Sequence, residues 1–332
     1  MRHSPVVRLG VAAVACSVVT TAYSWAQPSG PHIGTASAAR GSIPRTADGH
    51  PNLEGYWSFG TATPLERPPQ VSGRPFFADD AEAERFETEN EARRQALRAE
   101  RLGVEEVREA ERPFVIVDGR KLTSLIVDPP DGRIPYIAPE RQQRLLPERY
   151  DGPEDVPLSE RCLSGASGVP LFPAAAPPNV QVFQSPDHLV LLQEFGPEIR
   201  IIPFDGRKHV SGAIRSWSGH SSGHWDGDTL VVETTNFRAR LQQRAASNRF
   251  DRNLRLVERL TLTAANVIWY EVTIDDPTLF TRTWTLRFPM RRKNEQVLEF
   301  ACHEGNYSLA NVLRGARAQD RAAGAGNAID QK

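Results

Sequence analysis

From residue 180 to residue 301 the chain repeats one pattern, in which short segments of alternating apolar and polar residues are separated by turn residues. Segments 188–194 and 199–204 flank Gly196-Pro197, and 223–225 and 229–235 flank Asp226-Gly227-Asp228. Segments 254–263 and 267–274 flank Ala264-Ala265-Asn266, and 282–291 and 296–301 flank Lys293-Asn294. Asp-Gly between alternating runs is the strongest short-range hairpin signal. Regular spacing of short strands points to an all-β sandwich, meander or closed barrel. The expected body is therefore eight strands in four successive hairpins over 180–301, which with a terminal helix fills 180–317, a mainly β, antiparallel meander barrel or strongly curved sheet.

Strand parity then assigns faces. Alternate residues of a strand point to the same side. In 254–262 the even positions are Leu254, Leu256, Glu258, Leu260 and Leu262, so Glu258 stands amid an apolar, inward row. The next strands also carry their apolar sets at even positions, Ile268, Tyr270, Val272 and Ile274, then Trp284, Leu286 and Phe288, with Arg282 at the mouth. A carboxylate there is costly unless it is paired or protonated. Two arrangements satisfy this pattern. One is a ligand pocket lined by Tyr270, Trp284, Arg200 and Arg282 around Glu258. The other is a filled barrel in which Glu258 pairs with Arg282 or Arg200.

The N-terminal end reads as an export signal. Arg2 and Arg8 precede an apolar run over 11–20, and Ser24-Trp25-Ala26 fits a cleavage site, so residues 1–26 are expected to be removed near Ala26. Cys16 follows Ala13-Val14-Ala15, which resembles a lipoprotein box without its usual leucine. Residues 27–50, rich in Ser, Gly, Ala, Pro and Thr, read as a flexible leader. Residues 51–179 read as an extended, proline-rich wrapping region. It includes a short strand near Tyr56-Trp57, a charged helix over 78–112 and a hairpin about Asp118-Gly119. The irregular 136–180 passage is expected to line or cover a cleft. A short C-terminal helix is expected from Ser308 to Arg317, followed by a disordered tail over 318–332.

Without Arg2 and Arg8 the exported chain carries 38 Lys and Arg against 41 Asp and Glu, a net charge of −3, which disfavours nucleic-acid binding. No later apolar run is long enough to span a membrane. Cys162 and Cys302 remain, and in an oxidising compartment a disulfide is the leading reading, with two buried free thiols as the alternative. Neither lies in a C-x-x-C pair, and neither G-x-S-x-G nor a Gly-rich phosphate loop is present, so neither metal nor cofactor is expected.

Two other clusters bear on function. His220 and His224 sit among Asp226 and Asp228, but on a strand rather than a helix, where H-x-x-x-H has its usual metal-binding geometry. Trp217, His224 and Trp225 are accordingly read as ligand contacts, with core packing as the bland alternative for the tryptophans. In Cys302-His303-Glu304-Gly305-Asn306-Tyr307, His303 and Glu304 precede the terminal helix, where its dipole favours a carboxylate. They and Glu258 are the candidates for general acid–base chemistry.

The stretches TPLERP (63–68), SLIVDPPDGRIP (124–135), ERCL (160–163), RIIPFDGRKH (200–209), GHWDGDTLVVETTNF (223–237) and CHEGNY (302–307) resemble those of a large family of exported bacterial hypothetical proteins. Gly196-Pro197-Glu198 and His220-Ser221-Ser222 depart from that family's pattern. The resemblance implies export and carries no activity with it. The strand pattern is also similar to calycins, the lipocalin-like β-barrels, which enclose ligand cavities. The expected function is binding of a small, partly apolar molecule in or at the mouth of the barrel, in the periplasm. A cofactor-independent lyase, isomerase or hydrolase using Glu258 with His303 and Glu304 is the alternative, and a structural interaction module the third.

Overall fold

The computed structural model describes residues 43–102, 112–137, 150–156, 161–163, 169–173, 179–194, 198–238 and 252–329. The signal at 1–26, most of the leader and most of the 136–180 passage lie outside the described residues.

Among the described residues the strands are β1 (Gly55–Ser58), β2 (Ile116–Val117), β3 (Arg120–Lys121), β4 (Ile126–Asp128), β5 (Asn179–Gln184), β6 (His188–Gln193), β7 (Glu198–Pro203), β8 (His220–Asp226), β9 (Thr229–Thr235), β10 (Arg255–Ala264), β11 (Val267–Asp275) and β12 (Trp284–Lys293). The helices are α1 (Asp80–Leu102) and α2 (Ser308–Ile329). Nine strands form one antiparallel sheet in the order β7-β6-β5-β1-β12-β11-β10-β9-β8, with β4 alongside β12, while β2 and β3 make a separate hairpin. The sheet curls into a nearly closed barrel whose end strands, β7 and β8, meet across a seam.

The parity argument holds residue by residue. Leu254, Leu256, Glu258, Leu260 and Leu262 are all buried, as are Ile268, Tyr270, Val272 and Ile274, then Trp284, Leu286, Phe288 and Met290. The expected hairpin turn falls at Gly227-Asp228, since Asp226 pairs with Thr229, and Gly227 has a φ of 58°. The barrel is filled rather than hollow. Trp57, Phe59, Tyr270, Trp284 and Phe288 are each at most 1% exposed and belong to one core. Large rings at facing positions occupy the volume that a ligand cavity would need.

Several expectations are corrected. Residues 296–301 form no strand. β12 instead takes β1 as its neighbour, with Tyr56 opposite Lys293 and Ser58 opposite Arg291, and β1 also pairs β5. The 51–179 region thus contributes β1 and β4 to the body itself. β1 carries only two apolar residues, the adjacent Tyr56 and Trp57, too little for local pattern to show which strand it joins. The Arg287 amide donates to the Leu125 carbonyl at 2.9 Å, which puts the amide side of position 289 away from β11. Pro289, two residues on, therefore loses no bond to β11.

The described end of the leader is docked. Arg45 pairs bidentately with Asp228 at 2.7 and 2.9 Å, and His50 stacks on Trp225 with ring centroids 4.6 Å apart. The tail is not disordered through 329, because α2 continues to Ile329. Alanine is the strongest helix former, and Ala318, Ala322, Ala323, Ala325 and Ala328 offset the roughly 1 kcal/mol cost of each glycine.

The described α1 begins at Asp80 rather than residue 78, because Asp79 caps it by accepting the Glu82 amide at 2.7 Å. Residues 103–111 of the expected helix lie outside the described residues. Its buried stripe is thin, with Ala83 and Phe86 packed on Val71, Phe77 and Phe114. Among the described residues no helix is long and apolar enough to cross a membrane.

Cys162 and Cys302 form a disulfide with Cα atoms 5.7 Å apart and 140 residues of separation, and Asn306 donates to Cys162 Sγ at 3.1 Å. The pair thus ties 161–163 to the turn before α2. Closing so long a loop is worth at most about 5 kcal/mol through the unfolded chain. Strand pairing does not depend on it. The Cys162→Ser/Cys302→Ser protein should keep its β-sheet circular dichroism and lose no more than about 5 kcal/mol in urea unfolding. Loss of the sheet signal would contradict this.

Candidate functional site

The seam is where the fold concentrates its polar chemistry. On β7, Glu198, Arg200 and Ile202 point inward, while Ile199 and Ile201 point out. Arg200 reaches across to three strands. Its Nε donates to Ser221 Oγ on β8 at 2.9 Å, and Nη2 to Thr234 Oγ1 on β9 at 2.6 Å. Nη1 donates to Glu258 Oε1 on β10 at 2.8 Å, and Nη2 also meets Glu258 Oε2. Tyr270 on β11 donates its hydroxyl to Glu258 Oε1 at 2.7 Å and accepts the Leu171 amide at 3.2 Å.

The Arg200 and Glu258 side chains are 4% and 1% exposed. Burial alone pulls the Arg200 pKa down, but the charge and hydrogen bonds of Glu258 outweigh it and leave the guanidinium above its ordinary value. Burial, then the Glu258 charge, pushes the Tyr270 phenol well above its ordinary value, so it stays a donor. Of the two pairings considered for Glu258, the structure forms the one with Arg200. Arg282 is half exposed and bonds Asp128 at 2.6 Å.

Outside this clamp lies a groove of about 390 Å³. Its β7 wall is Ile199, Ile201 and Pro203, with His188 from β6. The opposite wall is Arg207, Ser216, Ser218 and His220, and Arg200 and Ser221 lie at its base, where the strands part. Two glycines permit close packing here, Gly219 against the end of β9 and Gly223 against Ile202 and Phe204. A Cβ at Gly219 (φ +70°) would stand 2.6 Å from the Thr235 carbonyl oxygen, and one at Gly223 would stand 3.0 Å from Phe204 and 3.1 Å from Ile202.

The charges of the rim are largely answered. Asp205 pairs with Arg207, which holds the Asp205 carboxyl down at about 2. His188 Nδ1 lies 3.0 Å from Asp187. His220 Nδ1 lies 2.9 Å from His209 Nδ1. Burial, then the His209 and Arg207 charges, holds His220 below its ordinary value, so it is neutral at pH 7. The groove therefore offers apolar surface and hydrogen-bonding groups with little net charge.

The other sequence-derived candidates scatter. Tyr270 and Trp284 belong to the packed interior, and Trp284 stacks edge-on against Phe280 at 5.6 Å. Trp225 is covered by His50 and Phe204. Trp217 lies beside the groove residues Ser216 and Ser218, with Arg238 5.1 Å from its ring centroid. His224 is exposed on the outer face of β8. His220 and His224 are four strand residues apart, about 13 Å, too far to share one ion. Among the described residues no group of three or more His, Cys, Asp or Glu side chains is placed to hold a metal ion. His303 and Glu304 are exposed in the 302–305 turn and form no constellation with the buried Glu258.

Sequence reasoning missed Ser221, Thr234 and the groove wall. One signal was available, since Ile199 and Ile201 stand at the positions opposite Arg200 and so must face out if Arg200 faces in. A β-barrel with a packed interior and a groove in its wall is the class that fold and site define. The chain matches no protein-family model, no curated protein and no solved structure.

Removing one partner of a buried ion pair leaves an uncompensated charge and costs about 3–5 kcal/mol, whereas replacing both with apolar groups is far cheaper. Urea unfolding should show Arg200→Met and Glu258→Leu each strongly destabilised and the double variant more stable than either. Additive losses would contradict a coupled pair.

Proposed function

We propose that this is an exported, periplasmic protein that binds a small, partly apolar molecule in the seam groove rather than inside the barrel. The observation that carries the reading is the groove itself, with isoleucines on one wall and hydrogen-bonding side chains on the other, of a size usual for small-molecule sites. Because the rim guanidiniums of Arg207 and Arg200 are answered by Asp205 and Glu258, the fitting ligand is a hydrogen-bond acceptor of low charge. The basic and apolar pattern of residues 1–26, the resemblance to exported bacterial proteins and the Cys162–Cys302 disulfide support the compartment. The acid–base reading draws no support from a Glu258 sealed in the interior while His303 and Glu304 stand exposed in a turn.

Screening partly apolar carbonyl and hydroxyl compounds by thermal shift should reveal binders that stabilise the protein. Ile199→Glu, at a residue 63% exposed, should leave the melting temperature of the free protein unchanged and weaken those binders at least about ten-fold. Equal binding to wild type and variant would place the ligand elsewhere.

A further inference from the structure

The Ile199–Ile201 wall does not end at the groove. On the outer face, Ile201 stands opposite Val190 on β6, and Val190 stands opposite Phe183 on β5. Ile199 stands opposite Leu192 in the same way. Ile199, Ile201 and Phe183 are 63%, 60% and 46% exposed, although they lie within β7 and β5 of the sheet. A sheet facing water would carry polar residues at these outward positions. Instead, one apolar row starts inside a hydrogen-bonding groove and runs outward across two strand spacings, about 10 Å.

We propose that the molecule taken by the groove is a straight-chain amphiphile. Its low-charge polar head sits among Arg207, Ser218 and His220, and its alkyl chain lies across Ile201, Val190 and Phe183. This rests on the groove being the binding site. The occupant is specified by continuity, because the exposed apolar row and the polar groove share Ile199 and Ile201 as a common wall. The same near-neutral rim that disfavours a strongly charged ligand fits a carbonyl or hydroxyl head. A filled barrel offers the chain no route inward, so the chain stays on the outer face.

The test is a calorimetric binding series of straight-chain N-alkyl acetamides, from butyl to decyl. Each added methylene should tighten binding by about two- to four-fold until the row is covered. Phe183→Ser, outside the groove, should flatten the dependence for the longest members and leave the butyl compound's affinity unchanged. Short members that bind with no dependence on length would overturn the inference and leave the groove reading standing. No binding at any length would sink both. A wild-type dimer in sedimentation that Phe183→Ser disperses would assign the face to self-association and overturn the inference as well.

Discussion

A guanidinium with four hydrogen bonds is buried where a nine-strand sheet fails to close by backbone pairing. Arg200 gives the seam what a ladder gives every other pair of strands, fixed polar contacts between β7 and the strands beyond the gap. Three directional partners on β8, β9 and β10 admit one placement of β7, whereas apolar side chains alone would tolerate sliding. The cost of taking two charges out of water is met by mutual attraction and by the donors that fill the carboxylate, Tyr270 among them.

The remainder of the architecture follows from filling the interior. With the inward rows of β10, β11 and β12 occupied by leucine, tyrosine, tryptophan, phenylalanine and methionine, the barrel has a core and no lumen. Among the described residues, the seam groove and the apolar row of Ile199, Ile201 and Phe183 are outward features unlike an ordinary solvated face. They are contiguous, and both depend on where β7 is held.

The inward face of β10 to β12 was legible because strand parity is local, and Glu258 stood out as the one charge in an apolar row. Its partner was narrowed to two arginines but not fixed, because strand order sets which arginine reaches it. The same reason hid the place of β1 in the sheet, since the neighbours of its four residues lie far along the chain. The hairpin at Gly227 followed from turn chemistry, whereas 296–301 had an apolar pattern and no partner strand. Alanine content misread as disorder hid the end of α2. The groove was invisible because a seam belongs to the closure of the sheet, and the last strands of a barrel look like any others in sequence.

Amide hydrogen exchange on Glu258→Gln against wild type tests the clamp most directly. If the pair holds the seam, exchange should accelerate first and most in β7 and β8, with β11 and β12 remaining the slowest. A uniform acceleration through all strands, or none, would contradict the account, because it would mean that the seam is held by packing alone.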